Sequence, residues 1–287
     1  MASTTKIAVV TGSNKGIGFA IVKGLCKKFN GIVYLTARSD ARGQNAVKEL
    51  KDLGYNPNFH QLDIDSDESV NKFKGYLQDK YGGIDLLVNN AGIAFSNAST
   101  EPVAVQAEKT VGTNYFGTLR VCNALFPLLR QDARVLHVSS SAGHLSRIPG
   151  QDLRDKLSKP TLTVGELSEL MNQYISDAKT GKNEQNGWGS SSYVVSKVGV
   201  SALTRVQQRE FNNESPNRDI SVNSVHPGFV DTDMTNHKGP LTIDEGAKAT
   251  LYLSLEAHDL KGQYVWNDCR VIDWLASSAP SNPAPKS

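Results

Sequence analysis

Short apolar runs rich in β-branched residues alternate with helical patterns along nearly the whole chain, and this alternation leaves few folds open. The runs are Ile7–Val10, Ile32–Thr36, Phe59–Leu62, Ile84–Val88, Arg134–Val138, Ile220–Val225 and Gln263–Trp266. Near-continuous apolar strands separated by helices predict an α/β, doubly wound, seven-stranded parallel sheet buried on both faces. Between the first two runs Ile17, Ile21, Leu25 and Phe29 recur every four residues, which predicts an amphipathic helix. Further helices are expected near Ala41–Leu53, Ser66–Tyr81, Pro102–Thr113, Tyr115–Leu129, Ser191–Asn212 and Ile243–Leu255.

One stretch, residues 141–190, is too long for an ordinary strand-to-helix connection and must carry structure of its own. Within it Thr163 and Glu166 have the spacing of a capping box, and Val164, Leu167, Leu170, Met171, Tyr174 and Ile175 share one helical face. An inserted helix is expected there, followed by a mobile polar link over Lys179–Gly187. The whole of residues 1–276 is read as a single domain with this insertion, and residues 277–287, mostly Ser, Ala and Pro, as a disordered tail.

A net charge of +2 gives no general attraction to nucleic acid or to a membrane surface, so specific pockets must carry any anion recognition. Cys26, Cys122 and Cys269 are odd in number and widely spaced, which disfavours a disulfide framework and a metal site alike. The first residues lack a signal-peptide core, and no run approaches the roughly 18 apolar residues of a membrane span. A cytoplasmic protein is expected.

The first strand leads into Thr11-Gly12-Ser13-Asn14-Lys15-Gly16-Ile17-Gly18, which opens the first helix. Glycines there let the backbone turn tightly and approach a pyrophosphate, to which the helix N-terminus offers N–H groups and partial positive charge. An NAD site places an acid at the end of the second strand, where it binds the ribose 2′-hydroxyl. Here that position holds Arg38, with Lys15 near enough in the glycine loop to join it. Two cations suit a 2′-phosphate, so the expected cofactor is NADPH. After the third strand Asp63 and Ile64 are placed to hydrogen-bond and flank an adenine, and after the fourth Asn90 lies in an Asn-Asn-Ala-Gly turn at the ligand-binding edge of the sheet. Asn90 also has the option of satisfying backbone groups only.

Further along, Tyr193 and Lys197 stand at i and i+4, on one helix face. An ammonium held at ~4 Å in an effective dielectric of ~20 is worth roughly 4 kcal/mol to a phenolate. That would bring the phenol toward neutrality by as much as about three pKa units.

Taken in order, Thr11–Gly18, Asn89–Gly92, Asn114, Ser140, Tyr193 with Lys197, and Pro227-Gly228 resemble the short-chain dehydrogenase/reductase superfamily, whose fold is of the Rossmann type. The glycine loop, Thr36-Ala37-Arg38, Gln61–Asp65, Asn89–Phe95 and the long insertion are similar to the monomeric NADPH-dependent carbonyl reductases. The resemblance implies a tetrad of Asn114, Ser140, Tyr193 and Lys197. In it Tyr193 gives a proton to the substrate oxygen, Ser140 holds that oxygen, and Lys197 tunes the tyrosine and bonds the nicotinamide ribose. Asn114 positions a water behind the lysine. Ser140 is chosen because the family serine aligns with the second of such a pair, and Ser139 is the alternative. Gly12, Asn14, Lys15, Gly16, Ile17 and Gly18 would line the cofactor, and Val230, Asp231 and Thr232 would close over the nicotinamide.

For the substrate, Phe95, Trp188, Phe229 and Met234 are candidates for an aromatic cleft, and Phe95 with Gln106 matches positions that contact glutathione-bearing substrates in such reductases. The implied activity is reduction of ketones, aldehydes and quinones, with glutathione conjugates as candidate ligands. No metal is implied. His226 and Phe229 stand where relatives often carry cysteine and tryptophan, so substrate preference does not carry over. An insertion docked over the helices bearing Asn114 and Tyr193 would block a common dimer surface, so a monomer is expected. Two competing readings are an alcohol or hydroxysteroid dehydrogenase working in oxidation and a nucleotide sensor without turnover. The cation pair disfavours the first, and the presence of both Tyr193 and Lys197 disfavours the second.

Overall fold

The computed structural model describes residues 5–96, 98–257 and 259–280. Eight strands form one sheet in the order β3-β2-β1-β4-β5-β6-β7-β8. They are β1 Lys6–Val10, β2 Gly31–Ala37, β3 Asn58–Gln61, β4 Ile84–Asn89, β5 Leu129–Val138, β6 Ser221–Val225, β7 Tyr264–Val265 and β8 Val271–Ile272. The strand order reverses between β1 and β4, which opens a crevice at their carboxyl ends. In β1 the buried Ile7 and Val9 face one core cluster while Ala8 and Val10 face another, as expected for a strand covered on both sides.

Pairs from β1 to β7 are parallel. The expectation of seven parallel strands is corrected at the edge, where β8 runs antiparallel to β7 with Tyr264 opposite Ile272. Two residues between Arg270 and Asp273 are too short to show strand periodicity, and the hairpin turn that pairs them places Cys269 at φ 72.

The helices are α1 Gly16–Lys28, α2 Asp40–Asp52, α3 Asp67–Tyr81, α4 Val103–Val111, α5 Thr118–Leu125, α6 Gln151–Ser158, α7 Val164–Lys179, α8 Ser192–Asn212 and α9 Ile243–Leu255. The helix expected over Tyr115–Leu129 is shorter. A π-helical segment, Gly112–Gly117, precedes it, and a 3-10 turn at Phe126–Leu128 containing Pro127 ends it, after which β5 begins at Leu129.

The insertion packs as an amphipathic pair. The Thr163 hydroxyl accepts from the Glu166 backbone N–H, and the Glu166 carboxylate accepts from the Thr163 N–H at 2.8 Å, so the capping box forms as its spacing predicts. Leu167, Met171 and Tyr174 then bury against α4 and α8 in one cluster with Tyr115 and Val198. The sequence pattern gave no sign of α6, whose buried face is only Leu153 and Leu157. The polar link after α7 is a set of turns in which Lys182 N–H donates to Asp177 and Asn183 Nδ2 to the Gly189 carbonyl, at 2.8 Å each. Of the tail expected from Ser277, residues 281–287 lie outside the described residues. Among the described residues no helix is long and apolar enough to cross a membrane.

Thr163→Ala removes the side-chain half of the capping box and is expected to lower unfolding stability by about 1 kcal/mol. Urea unfolding checks this, and a midpoint equal to the parent's contradicts it.

Candidate active site

The crevice at the carboxyl ends of β1, β4 and β5 is shaped first by backbone that side chains would obstruct. Gly12 sits at φ +59, and a Cβ there would come 2.7 Å from the Ala91 Cα. On Gly18 it would come 2.4 Å from Asn90 Nδ2. Asn90 explains the tightness: its amide donates to the carbonyls of Thr11 and Gly12 at 3.0 and 2.9 Å, while the Thr11 hydroxyl accepts from the Asn90 and Ala91 N–H groups. Of the two roles open to Asn90, the structure shows the backbone clamp. The clamp sets Gly16 as the first residue of α1, leaving the helix N-terminus facing the crevice with Asn14 and Ile17 partly exposed beside it.

Arg38 is exposed at the end of β2, and Lys15 is exposed at the α1 N-cap. Lys15 Nζ pairs with the exposed Asp233 at 2.5 Å. Asp63 sits partly exposed after β3, its N–H donating to Ser69 Oγ at 2.9 Å and its carboxylate accepting from Asp65 N–H at 3.1 Å. Ile64 is a core residue, 6 % exposed.

The residues of the expected tetrad gather around the start of α8. The Ser191 hydroxyl caps this helix, and one turn in, Tyr193 and Lys197 share a face, the amine 5.7 Å from the phenol ring centre. Lys197 is 5 % exposed, and its Nζ donates to the Val138 carbonyl at 2.8 Å. The π-helical segment aims Asn114 at the same place. Asn114 Oδ1 accepts from Ile93 N–H at 2.8 Å, and its Nδ2 lies 2.9 Å from the Ile93 carbonyl and 3.0 Å from Ser196 Oγ. Gly92 keeps Asn114 and Lys197 close, since a Cβ there would lie 3.1 Å from Asn114 Oδ1 and 3.5 Å from Lys197 Nζ.

The two serines after β5 separate by function. The Ser139 hydroxyl is buried against Ser201 Oγ at 2.8 Å and the Lys197 carbonyl at 3.2 Å, which ties the strand end to α8. Ser140 is extended at φ −170, its hydroxyl accepts from Ala142 N–H at 3.2 Å, and its side chain lies near enough to the Tyr193 phenol to favour the phenolate. Geometry therefore places Ser140, not Ser139, beside the phenol.

Burial pushes the Tyr193 phenol up from its ordinary value, and the neighbouring Ser140 side chain pulls it only partly back. Burial thus outweighs the expected lowering by Lys197, whose Nζ uses one of its three donors on the Val138 carbonyl. Burial also brings Lys197 from its ordinary 10.5 down to about 8. Sequence reasoning missed the layer below. His137 is wholly buried, with Nδ1 3.2 Å from Asn89 Nδ2 and Nε2 2.8 Å from Gln207 Oε1. Burial and then the Lys197 charge push that imidazole down to about 4, so it remains neutral. A histidine inside an apolar strand gives no sequence sign of which helix it will face.

After β6, Val230 is buried and bridges Leu241, while Asp231 pairs with His237 at 2.6 Å and Thr232 faces Gly16 across a narrow gap. A Cβ on Gly16 would stand 3.5 Å from Thr232 Cγ2. A narrow crevice between a helix N-terminus and this segment, with cations at its rim, fits a dinucleotide. Phe229 and Met234 are each 46 % exposed on the same segment, and Phe95 is partly buried after β4. Gln106 donates to the Glu101 carbonyl at 2.8 Å. Trp188 is not brought to the crevice. Its ring is 1 % exposed, packed edge-on against Tyr174, and its Nε1 donates to Asp177 at 2.9 Å inside the insertion. His226 Nδ1 accepts from Ser141 N–H at 2.9 Å and Gly228 N–H at 3.3 Å, the bonds of a wall residue. Among the described residues no group of three or more His, Cys, Asp or Glu is arranged to hold a metal ion.

A family model for short chain dehydrogenases matches residues 6–151 and 179–241. The chain belongs to the short-chain dehydrogenase family. The gap in the family match coincides with α6 and α7, so the insertion is an addition to the short-chain dehydrogenase frame. The chain is 43 % identical over 278 residues to carbonyl reductase [NADPH] 1 of Bos taurus, covering 96 % of this chain and 100 % of the relative. It is 44 % identical over 270 residues to carbonyl reductase [NADPH] 3 of Rattus norvegicus, covering 92 % and 97 %. Salutaridine reductase from Papaver somniferum superposes with a TM-score of 0.81 at 31 % identity, covering 92 % of this chain and 100 % of that one.

The Lys197 shift has a sign that can be tested. Charged in both states at pH 7, the amine is penalised on folding, and the penalty fades as pH rises from about 8 to 10.5 and the folded protein's lysine loses its proton first. Lys197→Met should therefore match or exceed the parent's unfolding free energy at pH 7, by up to about 3 kcal/mol. The difference should shrink above pH 8. A variant clearly less stable than the parent at pH 7 contradicts the reading.

Proposed function

We propose that this short-chain dehydrogenase is an NADPH-dependent carbonyl reductase acting on ketones, aldehydes and quinones. The convergence of Tyr193, Ser140, Lys197 and Asn114 at the crevice carries the reading, and the carbonyl reductases it resembles support the cofactor. Bound NADPH supplies the hydride. Arg38 and Lys15 would hold the 2′-phosphate: the Lys15–Asp233 pair joins two exposed, solvent-screened side chains and yields readily to a doubly charged group. Gly12, Asn14, Gly16, Ile17 and Gly18 present the pyrophosphate edge, with Asp63 and Ile64 at the adenine and Val230, Asp231 and Thr232 beside the nicotinamide.

Tyr193 gives a proton to the substrate oxygen. Its phenol, raised by burial, keeps that proton at neutrality until the oxygen gains charge and draws it away. Ser140 donates a second hydrogen bond to the same oxygen. Lys197, mostly protonated at pH 7, restores the tyrosine's proton, and Asn114 holds a water that resupplies the lysine. Phe95, Phe229 and Met234 would wall the substrate. Glutathione conjugates are candidate ligands through Phe95 and Gln106. Because α7 covers α4 and α8, the protein is read as a monomer, and its site of action as the cytoplasm.

NADPH and NADH oxidation measured against menadione, an aromatic aldehyde and a steroid ketone tests the proposal. NADPH should support turnover with at least one of them. Tyr193→Phe should lower kcat at least ~100-fold while NADPH still binds. Arg38→Asp should narrow the NADPH preference about tenfold or more. Full turnover by Tyr193→Phe, or unchanged selectivity in Arg38→Asp, contradicts the respective assignment.

A further inference from the structure

Ser140 sits on a short segment between β5 and α6 whose only regular structure before residue 145 is a 3-10 turn at Ser141–Gly143. Regular structure does little to fix its aim, and locally its hydroxyl accepts one bond, from Ala142 N–H at 3.2 Å. The Ser140 carbonyl accepts two hydrogen bonds. One comes from Gly143 N–H at 2.8 Å within the turn, and the other from the Tyr264 hydroxyl, 124 residues away on β7. A carbonyl with both lone pairs engaged has its peptide plane fixed, and with it the Cα–Cβ direction of Ser140, from which Ala142 N–H holds the hydroxyl's rotamer.

The residues just after β8 make two more such bonds. Trp274 Nε1 donates to the Gly143 carbonyl at 2.7 Å, and His144 Nε2 meets the Asp273 carbonyl at 3.0 Å. Tyr264 and Trp274 are 3 % and 2 % exposed. Behind them lies a cavity of about 240 Å³ bounded by Arg205, Ile272 and Ser224 as well as by both aromatic rings. Both rings also belong to the main apolar cluster, so packing sets their place while the hydrogen bonds set their contact with the Ser140 segment.

We propose that Tyr264 is a positioning residue for Ser140, with Trp274 as the second strut. The edge hairpin aims the serine hydroxyl at the substrate oxygen through these two donors. This rests on the reading of Ser140 as a donor to that oxygen. A misplacement of ~1 Å at a reacting group can cost ~100-fold in rate, so losing one strut is expected to cost about tenfold.

The test is a double-mutant cycle on the full chain with NADPH and an aromatic aldehyde. Tyr264→Phe keeps the ring and removes the hydroxyl. It should lower kcat about tenfold with the NADPH dissociation constant unchanged, and Trp274→Phe should act in the same direction. In a Ser140→Ala background, Tyr264→Phe should cause no further loss, because there is no hydroxyl left to aim. Equal losses in both backgrounds would mean a general structural effect and overturn the proposal, as would full kcat in Tyr264→Phe while Ser140→Ala is impaired. Full kcat in Ser140→Ala itself would overturn the underlying reading of the serine, and the positioning role with it.

Discussion

A primary amine taken almost wholly out of water, Lys197 is the charge around which the site is arranged. Burial alone would expel it, and the Val138 carbonyl at 2.8 Å is the compensation that keeps it in place. That carbonyl belongs to the last residue of β5, so the strand end and the first turns of α8 are held together by the residue proposed to serve the chemistry. Ser139 repeats the lock from the other side through the Lys197 carbonyl and Ser201. The Tyr193 phenol thereby stands at a fixed height over the strand ends. Ser140, one residue past Ser139, meets it.

The same economy of space runs through the nucleotide edge. Gly12 is required by contact as much as by conformation, and Gly18 by contact alone, because Asn90 pulls the loop against the Asn-Asn-Ala-Gly turn until no Cβ would fit. Gly92 plays the same part between Asn114 and Lys197. The cofactor crevice and the proposed proton path are thus two sides of one turn, and a change on either side would reach the other through backbone rather than through long side chains.

Strand and helix periodicity made the doubly wound frame legible, since buried parallel strands read as unbroken apolar runs and α1 as a four-residue repeat. Thr163 and Glu166 announced α7 because a capping box is a local device. What escaped was set by contacts distant in sequence. With two leucines as its whole buried face, α6 falls below any periodic signal, and β8 exists only because β7 lies beside it. Trp188 stands close to Tyr193 in sequence and looked like a cleft residue. Asp177 and Tyr174 decide otherwise by drawing its ring into the insertion. Residue type and spacing placed Tyr193 and Lys197 on one helix face, yet the direction of the tyrosine's shift depends on desolvation, which spacing does not encode. Likewise Tyr264 carries no motif, and its link to Ser140 follows from the strand order alone.

Everything in this scheme depends on the Lys197 amine being dry, near the Tyr193 ring and bonded to backbone. A heteronuclear NMR titration of the Lys197 side chain, assigned by its loss in Lys197→Met, measures that environment directly. The amine should titrate near 8, well below its ordinary 10.5. Titration at the ordinary value would place the charge in solvent and contradict the account.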